Sequence, residues 1–471
     1  MRAFRQRLEA RPNHRWIVVG VVLAGISAIS FPITVLSASL PTIADDLNTS
    51  DATITWVIVA PLVLFTGLTP IAGKLGDLYG HRRAFLVGYS VFTVLSLLTS
   101  LAWNVGALIA MRTLTQAFGA VAGPAGTAIM LKEFEPKERA KPLGYFAAVT
   151  ALSPAVGVIL GGPLVDAVGW RTLFVIQAGI AAIGLLATFI ALPEDRTTTD
   201  VRFDLAGAAT LASGIGVMLF SINRAGAWSL SNPVVWLSAL AAGLLLWWFV
   251  RIEKRCAEPL MPLEFIRMPS IYRPVLAQTL MQAAYMGALV ITPFFLTRVY
   301  DYNSTVIGLM VSPRALAVAA GAAIAGRIDQ RFGGRTIVIS AIGLVAVANV
   351  ISSIGAALPA IGIVLIGAAL SGFGNGGSRP SITASISNSV SNDQLGVASG
   401  ALNMATQIGA ATGITVFTAV IGESSSPTRW FWVFMLAAGV ALVALVIAFT
   451  IPQSFGGQSN ETTALGPGGR T

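Results

Sequence analysis

The chain has 471 residues, a formal net charge of +9, one cysteine and two histidines; 55% of it is apolar and 11% is charged. Soluble domains carry about a quarter charged residues, so this chain is not built to face water all round. A single Cys256 excludes an internal disulfide, His14 and His81 are too few for a His-rich metal site, and no cofactor or metal is expected. The positive charge is not a nucleic-acid signal, because no soluble domain exists to carry a basic patch.

Apolar runs of about eighteen residues or more recur along the whole chain, the pattern of helices that cross a bilayer. In chain order they cover about 16–41, 53–73, 83–103, 105–131, 140–166, 171–192, 204–223, 233–251, 272–299, 304–325, 336–357, 359–387, 395–421 and 428–451. That is fourteen spans, and the short gaps at 103–105 and 357–359 leave thirteen open. The first run follows Arg2, Arg5, Arg7, Arg11 and Arg15 and lacks a small-residue cleavage site, which marks a retained helix. With an even count and both termini in the cytoplasm, 23 of the 30 Lys and Arg fall in cytoplasmic segments, as the positive-inside rule requires. Arg171, Arg224, Arg298 and Arg429 fall at outer ends, and Arg112, Arg314 and Arg379 fall inside helices.

These spans predict an all-α integral membrane protein of two six-helix bundles, residues 1–200 and 258–455, around a two-helix insertion with its cytoplasmic connection at 201–257. A polar, Gly-rich tail at 456–471 is expected to be disordered. The repeat rests on a charged turn. Gly73-Lys74-Leu75-Gly76-Asp77-Leu78-Tyr79-Gly80-His81-Arg82-Arg83 in the first half has a degraded copy, Gly326 to Arg335, beginning 253 residues later. Two related bundles that rock against one another make a transporter.

The residues that carry a resemblance are these. Beside the Gly73–Arg83 turn stand Arg112-Thr113-Leu114-Thr115-Gln116 in the fourth span, Ser153-Pro154-Ala155-Val156-Gly157-Val158-Ile159-Leu160-Gly161-Gly162-Pro163 in the fifth, and the central pair with Asp204-Leu205-Ala206-Gly207, Gly226-Ala227-Trp228 and Glu253. With them the chain resembles the major facilitator superfamily, in its fourteen-helix drug–proton antiporter branch. The resemblance implies export of a small amphipathic substrate across a bacterial inner membrane by a multi-pass monomer, with protons and membrane lipids as further partners. It also implies a conformational latch at Gly73, Lys74, Asp77, Gly80, Arg82 and Arg83, and a hinge and seal at Pro154, Gly157, Gly161, Gly162 and Pro163. In the second copy Gln330 stands in the acidic position and Asp329 one residue earlier, which leaves a weaker latch or none.

Residue types point to a cavity. A guanidinium inside an apolar helix by default marks a functional site, which singles out Arg112, with Gln116 on the same helix face, and Arg379. Gln278, Gln282 and Tyr285 repeat at i, i+4, i+7 on one stripe. Thr34, Ser37, Asn375, Asn403 and Gln407 complete the expected substrate cavity. One departure from the resemblance matters: Pro32 stands where the branch carries an aspartate in its first helix, and no Asp or Glu lies well inside any span. Coupling therefore falls to outer carboxylates, Asp46, Asp301 or Glu423, or is absent. A cavity holding two arginines and no acid favours neutral, zwitterionic or anionic substrates over organic cations. The rival readings are an exporter of lipids or anionic metabolites without proton exchange, and a receptor or scaffold that has lost transport. An enzyme is excluded by the lack of any nucleophile–base or metal-ligand constellation within the spans.

Overall fold

A computed structural model describes residues 14–135, 138, 140–191, 205–228, 231–256, 268–387, 389–390, 395–422 and 424–452. Fourteen long helices occupy them: α1 His14–Asp46, α2 Trp56–Tyr79, α3 His81–Thr99, α4 Val105–Lys132, α5 Ala140–Val168, α6 Trp170–Ala191, α7 Leu205–Trp228, α8 Pro233–Glu253, α9 Pro269–Tyr300, α10 Ser304–Phe332, α11 Gly334–Ala357, α12 Ile361–Ser387, α13 Leu395–Ile421 and α14 Pro427–Phe449. A single helical turn, Asp51–Ile54, precedes α2. Among the described residues, eleven helices are long and apolar enough to cross a membrane. The charged turns are helical except for one residue each: α2 runs to Tyr79 and α3 starts at His81, α10 runs to Phe332 and α11 starts at Gly334, leaving a one-residue break at Gly80 and at Gly333. The 456–471 tail lies outside the described residues.

Local signals explain where helices begin and where the chain reverses. Asn104 Oδ1 caps α4 by accepting from the Ala107 amide at 2.8 Å, and Asn232 Oδ1 caps α8 ahead of Pro233 by accepting from the Val234 amide at 2.9 Å. Gly80 (φ 90°) and Gly333 (φ 78°) reverse the chain in backbone that a side chain would strain. They stand 253 residues apart, and the same offset relates Asn48 (φ 48°) to Asp301 (φ 57°) and Gly169 (φ 81°) to Gly422 (φ 56°). It also relates Ser50, whose Oγ accepts from the Thr53 amide, to Asn303, whose Oδ1 accepts from the Val306 amide. The repeat is thus written in the backbone at four places.

Packing repeats in the same way. In the first half α1 packs on α4, α5 and α6, α2 and α3 pack on α4, and α3 packs on α6. In the second, α9 packs on α12, α13 and α14, α10 and α11 pack on α12, and α11 packs on α14. The halves meet through α5 against α10 and α2 against α13, with α1 against α9 between them. The central pair stands outside this seam, α7 leaning on α2 and α13. Apolar helices gain little from leaving lipid for one another, so small residues that admit close backbone approach must set the contacts. Gly409 and Gly413 of α13 meet the carbonyls of Thr279 and Ala283 on α9 in this way.

Among the described residues, the buried apolar side chains form three groups. One spans both halves and gathers Leu40, Ile43, Ile54, Trp170, Phe295 and Phe417. The others belong to one half each, around Val18, Phe85 and Met130 and around Ile271, Ile382 and Ala448. Within the two halves the shared core lies toward the end of the molecule away from the described termini (the distal end), while Ala208, Leu211 and Phe249 of the central pair extend it toward the terminal end; the separate cores lie at the terminal end. The halves are therefore fused distally and individually packed at the terminal end.

Candidate functional site: the distal seam and the buried arginines

Polar contacts between the halves reinforce the shared core. Arg298, in the last turn of α9, donates from Nη2 to Asp51 Oδ1 at 2.7 Å and to Asp45 Oδ1 at 3.0 Å, and from Nε to Asp51 Oδ2 at 3.2 Å. Asp51 is 2% exposed, so this bidentate pair is desolvated and strong. Thr42 Oγ1 and Ser304 Oγ share a hydrogen bond of 2.8 Å across the seam. The Thr305 amide, in the first turn of α10, donates to Asp166 Oδ2 at 2.7 Å, a carboxylate set against a helix N-terminus. Alongside, Asn223 Nδ2 of α7 donates to the Ala52 carbonyl at 3.0 Å, tying the central pair to the turn that holds Asp51.

The glycines of the fifth span make this approach feasible. A β-carbon on Gly162 would collide with the Ser304 carbonyl across the seam, and one on Gly161 would meet Val35 of α1 at 2.5 Å. Gly157 is buried and Pro163 half-buried; the Pro154 side chain lies outside the described residues. These residues thus pack α5 against both α1 and the opposite half.

The residues expected to form a latch stand as follows. Gly80 makes the turn, Arg82 lies over the Phe189 ring of α6 at 5.9 Å, and Arg83 is exposed. The Lys74 and Asp77 side chains, and any role of Gly73, fall outside the described residues.

The expected cavity residues divide into three places. Arg379 Nη2 on α12 donates to Asn403 Oδ1 on α13 at 2.9 Å; both side chains are exposed, and Asn375 and Gln407, one turn away on each helix, are half-buried. The α9 stripe is shut: Gln278 is 1% exposed, and Gln282 and Tyr285 are also buried. Tyr285 faces α10, where Arg314 lies 4.4 Å from its ring centre and donates from Nη2 to its carbonyl at 2.7 Å. Periodicity found the stripe but could not say that its partner was Arg314, a residue 29 positions on. Ser37 is buried, and the Thr34 side chain lies outside the described residues.

Arg112 differs from Arg298 and Arg314. It is 2% exposed, and its Nε and Nη1 have no hydrogen-bond partner; Gln116 Oε1, one turn on, has none either. On the flank of the same helix, Thr113 lines an open apolar cleft of about 420 Å³ shared with Trp56, Val63, Leu64, Gly216 and Phe220 of α2 and α7.

The outer carboxylates are unequal. Asp46 accepts from Trp170 Nε1 and from Arg171 Nη1, both at 2.9 Å, and these bonds hold its carboxyl below the usual aspartate value. Asp301 caps α9 in left-handed backbone and is exposed. Glu423 lies outside the described residues. Sequence reasoning placed Asp51 and Arg298 at outer ends without pairing them; 247 positions separate them, and only opposite ends of the same membrane face hinted that they could meet.

Comparison with known proteins agrees with this architecture. The family model described as Major Facilitator Superfamily matches residues 17–265 and 275–466. The chain is 32% identical over 340 residues to the puromycin resistance protein of Streptomyces alboniger, covering 71% of this chain and 67% of that one. It is 30% identical over 328 residues to the tetracenomycin C resistance and export protein of Streptomyces glaucescens, covering 69% of this chain and 60% of that longer relative. A multidrug transporter of Bacillus subtilis is 26% identical over 421 residues, covering 88% of this chain and 77% of the relative. In fold, the chain matches an inward-facing, unoccupied bacterial homologue of the human lysosomal transporter Spinster, with a TM-score of 0.69 at 15% identity, covering 95% of this chain and 98% of that one.

Proposed function

The chain belongs to the Major Facilitator Superfamily, is a transporter and not an enzyme, and on that premise we propose that it exports amphipathic, drug-like molecules by alternating access. The observation that carries the reading is the distribution of cores: one shared distally, two separate at the terminal end. Such an arrangement rocks about a fixed site without unfolding either half. The names of the relatives, which speak of resistance to and export of antibiotics, support drugs as the substrate class.

We further infer a bacterial inner membrane, cytoplasmic termini and a monomer, with the distal end facing outward. Proton antiport is the coupling implied by the resemblance. Asp46 is a poor carrier, because Trp170 and Arg171 hold its carboxyl below the usual value, which leaves Asp301 and Glu423. A second reading, export of lipids or of anionic or neutral metabolites without proton exchange, draws on Arg112, a buried cation with two unpartnered nitrogens.

Proteoliposomes containing a fluorescent drug separate the two. Drug efflux driven by an imposed proton gradient, with matching proton movement, supports antiport. Flux indifferent to the gradient supports the second reading. No flux of any amphipathic probe refutes export altogether.

A further inference from the structure

Among the arginines of the described residues, Arg112 alone has two buried nitrogens without a hydrogen-bond partner. Arg298 meets two carboxylates, and Arg314 has a carbonyl and an aromatic face. The neighbours of Arg112 explain the difference. α4 packs on α1, α2 and α3. On those helices the sequence places acids only at Asp45 and Asp46, at the far end of α1, and at Asp77, at the far end of α2.

The register between α1 and α4 is fixed by two contacts: Gly119 against Ile29 and Gly126 against Val22. The two contacts step along the helices in opposite senses, seven residues each, as antiparallel neighbours must. Extended outward, that register sets residue 36 opposite Arg112 and residue 32, a proline, opposite Gln116. Asp45 is nine residues beyond residue 36, about 13 Å along the helix, and Asp46 is already engaged by Trp170 and Arg171. No acid of the neighbouring helices reaches the guanidinium. Leu36 belongs to the core that joins the halves, so the Arg112 level lies at the closed end of the space that opens when the halves part.

We propose that Arg112 is the recognition point for the acid group of an anionic amphiphile, a carboxylate or sulfonate, which the carrier moves; this rests on the exporter reading and names its substrate class. A guanidinium sealed from water without a counter-ion is unfavourable, and an anion that accepts from its free Nε and Nη1 relieves it. The occluded state is thereby favoured when loaded and disfavoured when empty. An internal proton carrier is then unnecessary. A membrane potential, negative inside, drives a monovalent anion outward by about fiftyfold per 100 mV.

The test uses the full chain in proteoliposomes, with a potassium-set potential and two probes of one ring system, a fluorescent naphthyl sulfonate and its uncharged sulfonamide. Wild type is expected to move the sulfonate faster as the potential grows, and to move the sulfonamide at a rate the potential leaves unchanged. Arg112→Gln is expected to lower sulfonate flux at least tenfold and sulfonamide flux less than twofold. Pro32→Asp, which supplies a carboxylate from the opposed position while keeping the arginine, is expected to do the same, and so answers the question if Arg112→Gln misfolds. Parallel loss of both probes in both variants overturns the proposal. So does wild-type transport of the sulfonamide but not the sulfonate, which leaves the exporter reading standing. Transport of neither probe by wild type overturns both.

Discussion

Residues 45 and 298 occupy the same place in the two halves, 253 positions apart, yet one is aspartate and the other arginine, and they bond to each other at 3.0 Å. Residues 162 and 415 are likewise equivalent: Gly162 lies against the Ser304 carbonyl, whereas position 415 on α13 is a buried threonine. The backbone is copied and the chemistry is not. A repeat conserves the turns because positive φ leaves few choices, while the seam needs opposite charges and unequal bulk if one half is to close on the other.

The largest effect is expected from abolishing that inequality. Gly162→Leu drives a side chain into the Ser304 carbonyl, and the distal end should no longer close. With Cys256→Ser as background, Thr42→Cys and Ser304→Cys report closure, since the native hydroxyls are 2.8 Å apart. Cross-linking should fall at least tenfold in Gly162→Leu, and substrate flux with it. Thr415→Leu, at the equivalent position, should lower cross-linking less than threefold. Equal loss in both would mean that the halves are interchangeable after all.

Charge comes next. Arg298→Glu leaves Asp51 buried opposite a like charge, and breaking a buried pair by losing one partner costs about 3–5 kcal/mol. The distal seam should open, read as increased labelling of Ser304→Cys by a membrane-impermeant thiol reagent. Pairing it with Asp51→Arg should restore protection, because the exchange returns a bridge to the same seam. Protection unchanged in the single variant would demote the bridge to a surface contact.

The central pair, which has no counterpart in the repeat, should contribute less. Asn223→Leu removes the bond to the Ala52 carbonyl, a carbonyl that Thr55 Oγ1 also serves at 2.9 Å. A loss of about 1 kcal/mol, or about 2 °C in thermal midpoint, is expected, with Ser304→Cys labelling raised slightly. A loss of folding would show that α7 is a pillar of the first half and not a brace beside it.

How much of this the sequence carried follows from range. The spans were legible because lipid selects apolar runs regardless of tertiary detail, and Gly80 with Gly333 were legible because a turn is a local event. The α9 stripe was legible as a stripe, but Gln278, Gln282 and Tyr285 turned out to face packed neighbours, because period alone gives a face and not its partner. The Arg298–Asp51 bridge was illegible for the same reason. Its two residues share a membrane face and nothing else in the sequence until α9 and α1 pack. The lack of an acid near Arg112 was readable at Pro32, where absence needs no tertiary contact to be seen.

The smallest effect should come from Asp46, whose equivalent in the second half is Val299. Its bonds to Trp170 and Arg171 stay within the first half, and both members of the ion pair are nearly half exposed, so solvent screens it and less than about 1 kcal/mol is at stake. Its folded pKa lies below the ordinary value of 3.8. The stabilisation is therefore present above about pH 4 and fades only as pH falls through the lower folded value. Between pH 5 and pH 8 the carboxylate does not change state, so Asp46→Asn should leave the shape of the pH–flux profile unaltered while lowering stability slightly. A profile that shifted within that window would make Asp46 a proton carrier despite its bonds, and would place coupling within the first half.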